Sequence, residues 1–193
     1  MRVFVAFELT DDVRDDIASV AAAVRSLDPA WAGEKWVAPD NLHLTLAFAG
    51  DLDHASAGRL AELLEPALSR AEPEDLRLAS LVAVPSPRRT GMLWAVPGRD
   101  TPGIAIVAGL VAGCVASVGG DNDERPFRAH LTLVRARRSR RIAPGTLERA
   151  WRPQAGKLPE RIVSGGSVTV FSSTLTPMGP VYDALARIPV GGA

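Results

Sequence analysis

The 193-residue chain has one cysteine, Cys114, two lysines, Lys35 and Lys157, three histidines and one tyrosine. A single thiol excludes an internal disulfide and any cysteine-based zinc or iron–sulfur cage. Its apolar neighbours Val111, Ala112 and Val115 point to a buried, inert group. No run reaches the eighteen or more apolar residues of a membrane span. The opening Met1-Arg2-Val3-Phe4-Val5-Ala6-Phe7-Glu8 reads as a strand and not as a signal peptide, so a cytoplasmic location is expected. Net charge is missing too: Lys+Arg and Asp+Glu are both 22. Without a broad basic field the molecule lacks the usual means of binding nucleic acid irrespective of sequence. Any such ligand has to be gripped locally.

What is present suits an ordinary globular protein, 47% hydrophobic and 23% charged. The length is enough for a real core, in one domain or two intimately packed lobes. Alternation around Val3, Val5 and Phe7 predicts a strand over 2–9. Thr10 or Asp11 can cap a helix over 12–27, with Val13, Ile17, Val20 and Val24 on one face. A strand over 41–49 follows. Asp53 can then cap a helix whose stripe is Leu60, Leu63, Leu64, Ala67 and Leu68. Strands over 75–84 and 91–96 are split by Pro85-Ser86-Pro87 and an arginine pair, read as a turn. The second half repeats the plan, with a helix from Thr101-Pro102 to about 118 and a strand over 128–135. A short helix near 144–151 precedes strands near 166–173 and 180–188.

Two of the three histidines lie in identical segments, His43-Leu44-Thr45-Leu46 and His130-Leu131-Thr132-Leu133. On a strand, alternate side chains share a face. Each pair of leucines can anchor in a core while the histidine and threonine face a cleft. Were the halves to pack with approximate two-fold symmetry, two imidazoles and two hydroxyls would converge. That set suits in-line displacement at phosphorus: one neutral imidazole removes a proton and one imidazolium donates one. The threonine hydroxyls can donate to the non-bridging oxygens without a metal. A lone histidine in an apolar strand is usually a packed core residue; the doubling of the whole segment argues against that here. His54 opens a surface helix and is read as solvated.

The run from Lys35-Trp36-Val37-Ala38-Pro39-Asp40-Asn41-Leu42 through His43 to Ala49-Gly50 resembles the first motif of the 2H phosphoesterase superfamily. More narrowly it is similar to the bacterial and archaeal RNA 2′,3′-cyclic phosphodiesterases, also called 2′-5′ RNA ligases. Pro126-Phe127-Arg128-Ala129-His130-Leu131-Thr132-Leu133-Val134-Arg135 matches the second motif. Leu93-Trp94-Ala95-Val96 and Phe171-Ser172-Ser173-Thr174-Leu175-Thr176-Pro177, with Gly179 and Tyr182, extend the likeness along the chain. The resemblance implies one domain over 1–193 made of two interleaved lobes: a bilobal α+β fold, two antiparallel sheets with pseudo-two-fold symmetry lining a groove and helices outside. It implies hydrolysis of an RNA-terminal 2′,3′-cyclic phosphate to a 2′-phosphate, with reverse ligation chemically open, and no cofactor. By it, His130 activates water, His43 protonates the departing 3′ oxygen, and Thr45, Thr132 and Arg135 bind phosphate. Strict alternation would put Arg135 opposite His130, so a bulge or strand end has to turn it inward. Ala49 and Arg128-Ala129 depart from residues common in the family, away from the reacting groups.

Arg135, Arg137, Arg138, Arg140 and Arg141 follow the second motif and read either as a wall tracking an RNA backbone or as a solvated loop. Trp31, Trp36, Trp94 and Trp151 could stack a base, though most are expected in packing. Phe48, in register with Leu44 and Leu46, is expected inside, and Tyr182 could reach the groove. A metal hydrolase would need more ligands than two histidines on separate strands. The expected ligands are RNA ends or a small cyclic nucleotide such as an ADP-ribose cyclic phosphate. A non-catalytic RNA-end-binding module is the other alternative. Nothing suggests an obligate protein partner, so a monomer is expected.

Overall fold

A computed structural model describes residues 1–121, 126–152, 161–177 and 179–191. β1, Arg2–Glu8, buries Val3, Val5 and Phe7 on one face and Phe4 and Ala6 on the other. α1, Asp11–Leu27, buries the stripe Val13, Ile17, Val20 and Val24. Thr10 occupies its N-cap, but the hydroxyl donates to the Asp12 carboxylate and does not accept a helix N–H. Asp11 and Asp12 still complement the positive end of the helix dipole. A two-residue strand, β2 (Lys35–Trp36), leads to β3 (His43–Asp51) through a 3₁₀ turn at Pro39–Asn41. α2, His54–Leu68, is capped as its sequence requires: Asp53 accepts the Ser56 N–H at 2.7 Å.

β4 (Leu76–Ser86) and β5 (Arg89–Pro97) form a hairpin tighter than the turn residues suggested. Pro85 and Ser86 stay in β4, leaving Pro87 and Arg88 to turn, with a register shift at Val84/Pro85 where proline cannot donate to the ladder. α3 (Pro102–Ser117) has proline at its first position. β6 (Leu131–Arg140), α4 (Thr146–Trp151), β7 (Ile162–Val163), β8 (Ser167–Thr176) and β9 (Gly179–Pro189) complete the order.

The strands form two antiparallel sheets. The first runs β3-β1-β8-β9 and the second β2-β6-β5-β4-β7. Chain order and sheet order are therefore interleaved. Both ends of the described chain contribute to the first sheet, and the segment between α2 and β8 supplies most of the second. α2 and α3 pack on each other, against β3 and β9; α1 packs on α4, which lies on β4. Leu44, Leu60, Leu64, Leu93, Val111, Leu131 and Val170 belong to one continuous buried core. At about 1.5–3 kcal/mol for each large apolar side chain taken from water, that core positions both sheets.

Two expectations change. The strand after the second motif runs to Arg140, because β2 and β5 pair with its two edges around Arg135, so Arg137 to Arg140 lie in a strand and not a loop. Cys114 is half-buried, not buried; its thiol meets the Leu63 carbonyl at 3.6 Å, and burial pushes its pKa up, which keeps it unreactive.

Candidate active site

His43 opens β3 in the first sheet, and His130 immediately precedes β6 in the second. β3 and β6 contact one another, and His43 feels the charge of protonated His130. The two imidazoles are held alike. Nδ1 of His43 donates to the Asn41 carbonyl at 2.7 Å, and Nδ1 of His130 donates to the Arg128 carbonyl at 2.8 Å, each two residues back. A carbonyl can only accept, so both rings carry the Nδ1 proton and each neutral ring keeps its lone pair on Nε2. The Asn41 amide in turn donates to the Pro180 carbonyl at 2.7 Å, tying the His43 approach to β9.

Register shows what shares each face. Glu8, Ala6 and Phe4 of β1 stand opposite His43, Thr45 and Phe48 of β3, while Phe7 opposes Leu44 and Val5 opposes Ala47. Between Thr45 and Ala47 the register shifts, and Leu46 is the extra residue. The second sheet does the same. Trp94 opposes Thr132, Leu93 opposes Val134 and Met92 opposes Arg135, with Leu133 as the extra residue. Each bulge falls on the fourth residue of its His-Leu-Thr-Leu segment. Each reverses the alternation beyond it, which bulges do by placing two residues against one.

The bulges settle two side chains. Phe48, expected inside, lies on the Phe4 face with 52% of its surface exposed, since the Leu46 bulge turned it over. A second shift at Ala49, closed by Gly50 at φ 72°, ends the strand. Arg135, which unbroken alternation would send away, shares the face of Thr132, and its charge reaches His43, His130 and Tyr182. Among the described residues it forms no ion pair; its Nη1 lies 3.1 Å from the Met92 sulfur.

Aromatic rings line both histidines. His43 lies 4.8 Å from the Phe4 ring and 5.4 Å from Tyr182, edge-on to the latter. Phe4 also stacks on Phe171 at 5.2 Å. Trp94 stacks on His130 at 3.9 Å and 27°. Of the four tryptophans, Trp31 is fully buried, and Trp151 faces the Arg161 guanidinium at 4.0 Å. Trp36 lies under Arg25, so Trp94 is the one that meets a motif histidine. Its contact was not legible from periodicity, although it sits in a family-like flank; Phe4 carried no signal beyond its strand.

Burial is the main influence lowering the pKa of each histidine, since it disfavours the charged ring. The accepting carbonyls oppose it, and the Arg135 charge adds to it. His43 alone bears the further unfavourable charge of its partner. Burial raises the pKa of Tyr182, which keeps its phenol protonated.

The arginine cluster divides. Arg140 is structural: it pairs with Glu34 at 2.7 Å, donates to the Ala30 carbonyl and lies over Trp31. Arg137, Arg138 and Arg141 are exposed, and their side chains make no ion pair among the described residues. His54 is exposed on α2, as expected. A cavity of about 410 Å³ between α4 and β4, lined by Leu81, Leu147, Trp151 and Arg161, shares no residue with the histidine groove.

Residues 8–94 match the family model described as LigT like Phosphoesterase. An Archaeoglobus fulgidus protein named RNA 2′,3′-cyclic phosphodiesterase is 25% identical over 185 residues, 96% of this chain and 98% of its own length. A protein of the same name from Methanothermobacter thermautotrophicus is 27% identical over 184 residues, 94% of this chain and 95% of its own. A crystal structure of a protein from Thermus thermophilus superposes with a TM-score of 0.75 at 25% identity, covering 100% of this chain and 99% of that one.

Proposed function

From the match of residues 8–94 to the LigT like Phosphoesterase model and the likeness to relatives named RNA 2′,3′-cyclic phosphodiesterase, we propose hydrolysis of the 2′,3′-cyclic phosphate at an RNA end, without a metal, to leave a 2′-phosphate. The observation that carries this reading is the duplicated tether: two imidazoles, each fixed through Nδ1 to the carbonyl two residues earlier, each offering Nε2. A single tethered histidine is a structural device. Two, at the starts of contacting strands of different sheets and beside one arginine that forms no ion pair among the described residues, provide what an in-line displacement needs.

The steps follow from that geometry. His130 Nε2 accepts a proton from the attacking water as its oxygen bonds to phosphorus. The bond from phosphorus to O3′ breaks, and protonated His43 gives its Nε2 proton to the departing oxygen. This order comes from the family resemblance. Burial and the Arg135 charge disfavour the protonated form of both rings, so the substrate has to supply the bias. A cyclic phosphate brings one negative charge beside His43, which favours the imidazolium. Thr45 and Thr132 donate hydroxyl protons to the non-bridging oxygens, and Arg135 offsets their charge. Beyond the scissile group, Arg137, Arg138 and Arg141 meet the RNA backbone.

The test is a short RNA ending in a 2′,3′-cyclic phosphate, incubated with the protein in EDTA. A 2′-phosphate product, absent with His43→Ala and with His130→Ala, is expected. Activity that vanishes in chelator and returns with a divalent metal would overturn the metal-free mechanism, and a 3′-phosphate product would overturn the choice of leaving oxygen.

A further inference from the structure

Three polar groups of Asn41 are committed. The residue closes the 3₁₀ turn Pro39–Asn41; its N–H donates to the Ala38 carbonyl at 2.9 Å, and its own carbonyl takes the His43 Nδ1 proton at 2.7 Å. The side-chain amide then reaches far along the chain, where Nδ2 donates to the Pro180 carbonyl at 2.7 Å. Pro180 lies on β9, the outer strand of the first sheet, two residues before the Tyr182 ring that stands edge-on to His43. Leu42, between Asn41 and His43, is buried and holds the same stretch to the core.

The bond from Asn41 to Pro180 is exposed, and an amide–carbonyl bond that competes with water adds little to stability. What it supplies is direction. The Nδ1 tether fixes the rotation of an imidazole only as well as the accepting carbonyl is itself fixed. At His130 that carbonyl belongs to Arg128, whose exposed side chain makes no hydrogen bond or ion pair among the described residues; Trp94, stacked at 3.9 Å, steadies the ring instead. The two tethers look alike, yet the one at His43 is braced from a distant strand. The difference suits the two tasks. A base takes its proton from a water that can move to meet it, whereas an acid has to aim its proton at one bridging oxygen.

We infer that Asn41 is a positioning residue for the acid step: its amide, held on the Pro180 carbonyl, keeps in place the carbonyl that aims the His43 ring. This inference rests on the hydrolysis proposed above, with His43 as the acid. Releasing the amide frees the turn at 39–41 to shift, and a misplacement of about 1 Å at a reacting group costs on the order of 100-fold in rate. The Nε2 proton then reaches O3′ less often, while Thr45, Thr132 and Arg135 still bind the phosphate.

The experiment crosses the protein with the leaving group. Wild type, Asn41→Ala, Asn41→Leu and His43→Ala are each assayed on a 2′,3′-cyclic mononucleotide and on the same compound with sulfur in place of the bridging O3′. Leucine keeps the shape of asparagine without a donor. Both Asn41 variants are expected to lose roughly 10- to 100-fold in kcat on the oxygen compound with KM little changed. On the sulfur compound they match wild type, because a thiolate leaves unprotonated, and that turnover also shows the groove to be intact. His43→Ala follows the same pattern with a larger loss. Equal losses on both compounds, a loss carried by KM, or a wild-type rate for either Asn41 variant on the oxygen compound would overturn the role of the amide while leaving hydrolysis in place. Sulfur that fails to rescue His43→Ala would overturn its role as the acid and the inference with it. Turnover of neither compound by wild type would overturn hydrolysis as well.

Discussion

Replacing Arg135 tests the bulge, the electrostatics and the phosphate role at once, because two substitutions are expected to part company. Arg135 bonds the Met92 sulfur and has no carboxylate partner among the described residues, so its guanidinium is available to a phosphate. Its charge lowers the affinity of both histidines for protons. A hydrogen bond to a charged group contributes about 1.5–3 kcal/mol, so Arg135→Ala should lower kcat/KM roughly 10- to 150-fold. The sign of the pH effect is independent of that loss. Removing a positive charge makes both rings easier to protonate, so both limbs of the bell-shaped profile move to higher pH. Arg135→Lys keeps the charge but loses the planar fork, so its limbs stay near those of wild type while its rate falls. The assay is kcat/KM against pH on a 2′,3′-cyclic mononucleotide at fixed, low salt, since screening weakens the effect. An Arg135→Ala profile moving to lower pH, or an unchanged rate, would refute the placement of this side chain beside the reacting phosphate.

Other outcomes follow from the same geometry. Burial lowers both histidine pKa values from the ordinary 6.5, so the wild-type kcat/KM should peak on the acid side of that value; a plateau extending above neutrality contradicts the two-histidine scheme. His43→Ala and His130→Ala should each lower kcat by about 10²–10⁴, and sulfur in place of the bridging O3′ should rescue the first only, since a thiolate leaves unprotonated. Rescue of His130→Ala instead would reverse the roles. Leu44→Ala, at a fully buried position, should cost about 2–5 kcal/mol in denaturant unfolding. Phe48→Ala should leave that stability nearly unchanged, and a comparable loss would mean the ring is a packing element. Arg138→Ala with Arg141→Ala should flatten the salt dependence on an oligonucleotide and spare a cyclic mononucleotide; equal effects on both place those arginines outside an RNA track.

Much of this was legible because the residues concerned obey local rules. The α1 stripe is a simple 3.6-residue pattern, Asp53 caps where a helix must start, and two identical segments announce a paired site. What escaped was decided by neighbours. No periodicity marks Leu46 or Leu133 as extra residues, because a bulge is a property of two strands and their pairing. Phe48 was misplaced for that reason, and Arg135 could be placed only conditionally. Five arginines within seven residues look like solvent-exposed loop, yet pairing with β2 and β5 draws four of them into β6. Interleaved lobes were expected from the family resemblance, but which distant segments share each sheet was unreadable, since strand order is fixed by packing across the whole chain.

That sharing also sets a schedule for biosynthesis. A ribosome delivers the chain from its N-terminus, and β1, α1 and β3 emerge long before β8 and β9. Until then β1 lacks one of its two neighbours, and His43 lacks Tyr182, which comes from the last strand. The strand after His130 can pair with β2 and β5 while the chain is still growing, since all three lie before residue 141. The nascent protein therefore completes the wall around one histidine well ahead of the other, and a chain released early carries a half-built groove.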